Sequence, residues 1–276
     1  MVKTAGSACL YIVFIVLVFI TSSGFAAAQT ENWDTYMSRF GSKPGSVLVD
    51  LGLYPTAPDS RYPYLIITGP QARNCDKNSL PDKREITALE EVLDASTVFL
   101  GGVTAKVLAG TFTYNCERVN YYYVKDTTGA RNSLLRMYNR NYKDYKFVIT
   151  IKHDPQWVNY LTFLYPNEDT RNWIENNKNI TQLLQNGDSL TDKRDIIFAA
   201  CFSSDTARNG FSSLLPAKGY TLQKTPVLKN DKARYCILFS KNNFVKIDTI
   251  NNYTAEIKKE VQKHNGVYNG WSALKK

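Results

Sequence analysis

The sequence predicts an α+β protein made of two α/β-sandwich modules, of which the second is ferredoxin-like. Short runs in which apolar residues alternate indicate strands, and longer runs in which they recur every three or four positions indicate helices. A polar stretch at residues 185–189 (QNGDS) separates two groups of such runs. We therefore expect one module over residues 29–184 and a second over residues 188–276.

The first 28 residues have the three parts of a cleavable signal peptide. Lys3 is the positive n-region, residues 9–20 are an unbroken apolar run, and the small residues at 26–28 predict cleavage before Gln29. The alternative is an uncleaved membrane anchor, although a spanning helix needs about 20 apolar residues. We expect a bacterial protein exported to the periplasm or the cell surface, with no transmembrane segment after cleavage.

In the first module we expect a mainly antiparallel sheet with two or three helices. Alternation places Val47, Val49 and Leu51 on one strand face, and Asp50 is expected to face solvent on the other. The run at 62–68 is predicted to be the hairpin partner of that strand. The predicted helices lie at 33–40, 81–98, 130–142 and 167–184, and the predicted strands lie at 45–53, 62–68, 105–114, 118–125, 146–152 and 160–165.

The second module has the order βαββαβ, which is typical of a ferredoxin-like sandwich. Its predicted elements are a strand at 194–202, a helix at 204–217, strands at 220–226 and 234–240, a helix at 248–264 that Asp248 or Thr249 would cap, and a strand at 266–274. Both faces of the strand at 194–202 are apolar, whereas an open sheet face normally carries polar residues. We expect the second face to be covered by the first module, by a ligand or by another chain, which makes a dimer one alternative.

Three stretches of the second module resemble the family of the regulator of ribonuclease E activity B. They are RDIIFAACF (194–202), LLPAKGY (214–220) and HNGVYNGW (264–271), with Asn269 where that family has Asp. Residues 30–184 resemble a bacterial domain of unknown function that precedes such modules. The resemblance implies a ferredoxin-like fold and inhibition of a cytosolic RNA-degrading enzyme. Because this chain is basic and carries an export signal, we expect it to lack that inhibitory activity.

Four cysteines remain after the predicted cleavage. Cys75 and Cys116 would lie at one end of the first module, where they form either a disulfide or two unpaired thiols; a bridge would contribute about 3–4 kcal/mol on the loop-entropy model. Cys201 and Cys236 lie inside strands that a ferredoxin-like sheet places side by side. Since bridges between neighbouring strands are usually strained, we expect two buried thiols there.

Other residues give weaker signals. The formal net charge is +9, and it is spread along the chain rather than concentrated in one run. Arg136, Arg140 and Lys143 would form a basic surface patch on the outer face of the helix at 130–142. His153 and Asp154 are neighbours on a strand, so they should point to opposite faces and form no dyad.

We therefore expect a binding or interaction protein without catalytic residues, cofactor or metal site. Its partner would be a protein or an anionic ligand, and nucleic acid is disfavoured. One alternative is an enzyme, hydrolase-like, with its site between the modules. Another is a binder of polyanions, either acidic glycans or nucleic acid, for which charge is the only support.

Overall fold

A computed structural model describes residues 31–223 and 235–274, which belong to one compact unit. The predicted signal peptide at 1–28 lies outside the described residues. The predicted class is confirmed, because two antiparallel sheets and their helices form an α+β fold with two modules. No helix in the described part of the chain is long and apolar enough to cross a membrane.

The first module is a six-stranded sheet with helices. Its sheet order is β1-β2-β4-β5-β3-β6, antiparallel throughout. The elements are β1 Trp33–Phe40, β2 Lys43–Asp50, β3 Tyr64–Pro70, α1 Lys83–Gly101, β4 Lys106–Tyr114, β5 Glu117–Val124, α2 Ala130–Asn141, β6 Phe147–His153 and α3 Glu168–Gln185.

Apolar cores lie on both faces of this sheet. On one face, α1 and α2 pack on β3 and β5 through a buried cluster that contains Val92, Leu134 and Tyr122. On the other face, residues 157–164 and the start of α3 cover the strands. Buried polar residues near the core beneath α1 and α2 are hydrogen-bonded to one another. Thr111, for example, donates to Asn120, which donates to the hydroxyl of Tyr122.

The helix predicted at 33–40 is wrong, because Trp33–Phe40 is strand β1, an edge of the sheet. It pairs with β2 through a two-residue turn, and Gly41 in that turn has a φ of +63°. A glycine at such a turn is a hairpin signal, and pairing with β2 outweighed the weak helical pattern.

The predicted hairpin between β2 and the run at 62–68 is also wrong. Strand β3 pairs with β5 and β6, since both edges of β2 are taken by β1 and β4. Asp50 ends β2 and is buried, contrary to the prediction that it faces solvent. Its carboxylate accepts hydrogen bonds from the backbone N–H groups of Asn32 and Gly52, and so caps the helical turn Leu51–Thr56.

The strand predicted at 160–165 is a wide helical turn, Asn159–Leu164. Trp157, Tyr160 and Leu164, spaced three and four residues apart, all enter the core beneath the sheet. Asp154 lies five residues before this turn and is 6% exposed. It accepts hydrogen bonds from the Tyr123 hydroxyl and from the backbone N–H groups of Val158 and Asn159. His153 is exposed, so the two residues form no dyad.

The second module is a four-stranded sheet of order β10-β7-β9-β8 with helices on one face. This order confirms the predicted ferredoxin-like fold. Its elements are β7 Arg194–Phe202, α4 Asp205–Ser212, β8 Thr221–Leu222, β9 Tyr235–Asn243, α5 Ile247–Lys263 and β10 Gly266–Ala273. Lys246, rather than Asp248 or Thr249, is at the cap position of α5. On the outer face of the sheet, Val267 is 49% exposed.

Both cysteine pairs are joined by disulfides. Cys75–Cys116 links the loop before α1 to the β4–β5 turn. The expectation of two thiols at Cys201 and Cys236 is wrong, because these residues are also bonded. They stand directly opposite each other on β7 and β9, with Cα atoms 3.9 Å apart. The register of the two strands therefore brings the two side chains together.

Helix α3 lies between the two modules and contributes to both cores. Ile174 packs in the core of the first module, and Ile180 packs in the core of the second. Lys178 forms an ion pair with Asp34 of β1, and Arg171 lies over the ring of Tyr165 at 5.7 Å. The segment that follows is not only a polar linker, since Asp188 is buried and paired with Arg194.

We predict that Asp154→Asn makes the protein less stable at neutral pH and less sensitive to acid. Burial raises the pKa of Asp154, but hydrogen bonds from Asn159, Tyr123 and the backbone N–H groups outweigh it and lower that pKa. A lowered pKa stabilises the fold above the pKa of the unfolded state, and this stabilisation is lost as pH falls through the folded value. The loss at pH 7 should be about 1.5–3 kcal/mol.

Urea unfolding at pH 7, 5 and 3 measures this effect. The difference between wild type and Asp154→Asn should shrink below pH 4, where the wild type loses its advantage. Asp94→Asn, at an exposed position of α1, is the matched control and should cost little. A difference that stays constant from pH 7 to pH 3 would contradict the prediction.

Candidate functional site

A buried polar network joins α3 to α5. The two helices run antiparallel, with Asn172 opposite Thr254 and Asn176 opposite Asn251. Asn176 is fully hydrogen-bonded: its amide nitrogen donates to Asn251 and Thr254, and its oxygen accepts from the indole N–H of Trp271 at 2.8 Å. The network therefore also ties α3 to β10.

Asn172 is only partly satisfied within this network. Its amide nitrogen donates to the Thr254 hydroxyl at 2.8 Å, and that hydroxyl in turn donates to the Ile250 carbonyl. Because the single hydroxyl proton is used, Thr254 can only accept from Asn172, which fixes the orientation of the amide. Asn172 is 6% exposed, and its oxygen has no hydrogen-bond partner among the described residues.

Asn172 lines a depression between the two helices, which we name the α3–α5 groove. The groove consists of two neighbouring cavities that share Glu168, Lys258 and Gln262. The first, of about 300 Å³, is also lined by Asp169, Asn172, Ala255 and Lys259. The second, of about 220 Å³, is also lined by Arg171, Glu175, Val261, Gly266 and Tyr268.

A bulge in β10 turns Tyr268 toward the groove. Residues three apart on a regular strand point to opposite faces, but the pairing with β7 shifts between Tyr268 and Gly270. The extra residue, Asn269, puts Tyr268 and Trp271 on the same face, against the helices. Gly270 accommodates the bulge with a φ of +102°. This geometry is a structural reason for the glycine and aromatic residues of the motif at 266–271.

Tyr268 offers a second unpaired group. Its hydroxyl is buried and has no hydrogen-bond partner among the described residues. Burial, followed by the negative charge of Glu175, raises the pKa of Tyr268, so the hydroxyl stays neutral and can donate. Lys258 lies 5.7 Å from the ring centre.

The walls of the groove carry opposite charges. On α3 the wall is acidic on balance, with Glu168, Asp169 and Glu175 against the single cation Arg171, and on α5 it is basic, with Lys258 and Lys259. Lys258 and Glu175 form an ion pair of 3.2 Å across the groove. A ligand of one charge sign would therefore meet repulsion from one wall, and the groove suits a neutral or mixed-charge segment.

The predicted basic patch lies elsewhere, whereas Gly266 and Tyr268 of the motif at 264–271 line the groove. Arg136 and Arg140 are exposed on α2, and Lys143 is exposed just beyond its end, on the first module. His264 ends α5, with its Nδ1 3.0 Å from the Glu260 carbonyl. No group of three or more potential metal ligands was found in residues 31–223 and 235–274.

Sequence reasoning missed Asn172, although a signal was present. Asn172, Asn176, Ile180 and Leu183 recur at spacings of three and four, which places two amides on the stripe that packs against the second module. Amides on a core stripe indicate a buried polar network. Tyr268 was within the recognised motif, but its environment depends on the bulge.

We predict that Thr254→Val destabilises the protein by about 1–3 kcal/mol, because valine keeps the shape and leaves buried amide N–H groups without an acceptor. Urea denaturation measures the loss. Thr249→Val, in the first turns of the same helix and partly exposed, is the matched control and should change the unfolding free energy by less than about 0.5 kcal/mol. Equal effects of the two substitutions would show that the network contributes no stability.

Comparison with known proteins divides the chain in the same place as its fold. Residues 31–165 match the family described as "Family of unknown function (DUF695)", and residues 173–273 match "Regulator of ribonuclease activity B". The second match begins at residue 173, inside α3 and three residues before Asn176. No curated protein matches the chain.

Solved structures add no argument. One is an unknown protein from Galdieria sulphuraria, with 7% identity, a TM-score of 0.21 and coverage of 77% of this chain and 98% of that one. Another is described as a glycine cleavage system transcriptional repressor, with 9% identity, a TM-score of 0.23 and the same coverage. The family matches confirm both resemblances: the first module is similar to the family of unknown function, and the second to the regulator of ribonuclease activity B family.

Proposed function

We propose that this chain is a non-catalytic binding protein that holds a segment of a partner protein in the α3–α5 groove. The observation that carries the proposal is the groove itself, whose two cavities of about 300 Å³ and 220 Å³ lie between walls of opposite net charge. A partner segment with both basic and acidic groups would complement the two walls.

The family match supports a protein partner. The family that matches residues 173–273, which include most of α3 and all of α5 and β10, is named for the regulation of another activity. Its name describes no reaction of its own. Most residues that line the groove lie within this match. The exceptions, at the start of α3, are Glu168, Asp169, Arg171 and Asn172. We therefore assign partner binding mainly to the second module.

We also propose that the protein is exported and that its partner is found outside the cytosol. Two disulfides in the described residues support this, because such bonds persist in oxidising compartments. The mature protein should begin at Gln29, with residues 1–28 removed. Intact mass and N-terminal sequencing of protein from the native host measure this, and retention of Lys3 and the apolar run at 9–20 would contradict it.

Site-specific photo-crosslinking in living cells tests the binding function. A benzophenone amino acid replaces Gln262, an exposed residue of the groove, and in a control it replaces Asn139, an exposed residue of α2. We expect a discrete protein adduct from position 262 and none from position 139. The same adduct from both positions, or no adduct from 262, would reject the groove as the binding site.

A further inference from the structure

We infer that two copies of this chain pair along strand β6, so that their six-stranded sheets join edge to edge across a two-fold axis. The inference is independent of the α3–α5 groove, because β6 belongs to the first module. It rests on the open backbone of one sheet edge and on the register in which that edge complements itself.

Strand β6 differs from the other three edge strands in the described part of the chain. Strand β8 has two residues, and β10 carries the bulge between Tyr268 and Gly270. Strand β1 has α3 beside it, where Lys178 pairs with Asp34. Short strands, bulges and covering elements all keep an edge from pairing with another chain. Strand β6 pairs with β3 over seven residues without a register shift and has none of these protections.

The hydrogen bonds at both ends of β6 show which of its backbone groups face the open side. The N–H of Asp154 donates to the Pro63 carbonyl, and the Lys146 carbonyl accepts from the N–H of Gln71. Both bonds lie in the register of the β3–β6 pairing, so the even-numbered residues of β6 bond to β3. The odd-numbered residues direct their N–H and C=O groups outward, and no described residue bonds to them. They are Phe147, Ile149, Ile151 and His153.

One antiparallel register lets these outward groups pair completely with a second copy. With the two-fold axis at Thr150, Phe147 of each copy faces His153 of the other, and Ile149 faces Ile151. Each of these is a hydrogen-bonded pair, in which the two residues exchange both N–H···O=C bonds. Every outward N–H and C=O of the strand then has a partner. The edge is therefore its own complement, which is what a closed two-fold dimer requires.

The two neighbouring registers are less favourable. An axis one residue nearer the N-terminus would set Lys146 opposite Lys152, and like charges directly opposite each other destabilise a strand pair. An axis one residue nearer the C-terminus would set Phe147 opposite Pro155, which has no N–H to donate. With the axis at Thr150, no two like charges of the strand face each other. The sequence of β6 thus selects one register.

The side chains of β6 also suit a second copy. Ile149 and Ile151 are partly buried and pack on the core beneath α1 and α2, and in the dimer they would meet their counterparts across the axis. Thr150 is exposed, and threonine pairs favourably with threonine across antiparallel strands. The ammonium group of Lys152 donates to Asn159 of its own chain at 2.9 Å. Dimerisation therefore buries apolar surface without leaving this charge unpaired.

Sedimentation equilibrium of the mature protein tests the inference. We expect a monomer–dimer equilibrium with a species of twice the mass of one chain. Thr150→Lys would set two cations opposite each other at the axis and should raise the dissociation constant of the dimer about 10-fold or more. Thr35→Lys, at an exposed position of β1 on the other edge of the same sheet, is the matched control and should leave that constant unchanged.

A charge swap tests the position of the axis. Thr150→Glu alone should weaken the dimer as Thr150→Lys does. An equal mixture of the two variants should form a heterodimer at least as stable as the wild-type dimer, because opposite charges then meet at the axis. Both substitutions replace a side chain that is exposed in the single chain, so both proteins should fold. Urea unfolding of the monomeric variants checks this.

The outcomes are distinct. A monomer at every concentration up to the solubility limit would overturn the inference and leave the edge to a strand of another protein. A dimer that Thr150→Lys and Thr35→Lys weaken equally would also overturn it, because the copies would then meet at another surface. So would a mixture of Thr150→Lys and Thr150→Glu that stays monomeric. None of these results affects the crosslink from position 262, which tests the groove.

Discussion

The hydroxyl of Thr254 holds the second module and α3 in one arrangement. It donates to its own helix and accepts from Asn172 and Asn176, so one buried group orients two amides of α3. Asn176 passes this constraint on to β10 through the indole of Trp271. Because a buried polar group is costly when unpaired, α3 cannot slide or rotate without breaking several of these bonds. The network therefore holds together the three elements that line the groove, α3, α5 and β10.

Helix α3 also has to serve two cores. Ile174 packs in the core of the first module, and Ile180 packs in the core of the second. The buried side of α3 therefore changes module between these two positions. Near its first turns the side of α3 that faces α5 carries Glu168, Asp169 and Asn172 rather than apolar residues. At this end no apolar side chains of the described residues fill the space between α3 and α5, and that space is the groove.

The sequence was sufficient for the order of elements in the second module and for α1, α2 and α3, because amphipathic helices and apolar strands have distinct periods. It was insufficient for residues 33–40, where pairing with β2 decides the conformation. It was also insufficient for residues 160–165, which follow backbone N–H groups held by Asp154. Cys201 and Cys236 required the register of β7 on β9. Asn172 required knowledge of which α5 residue faces it, and that is tertiary information.

The most direct measurement is the yield of the partner adduct from a photo-crosslinker at position 262 in the Thr254→Val variant. Thr254 is fully buried and does not line the groove, so it acts on a bound partner only through the positions of α3 and β10. The account predicts less adduct than from the wild-type background at a temperature where the variant is folded. An unchanged yield would contradict it.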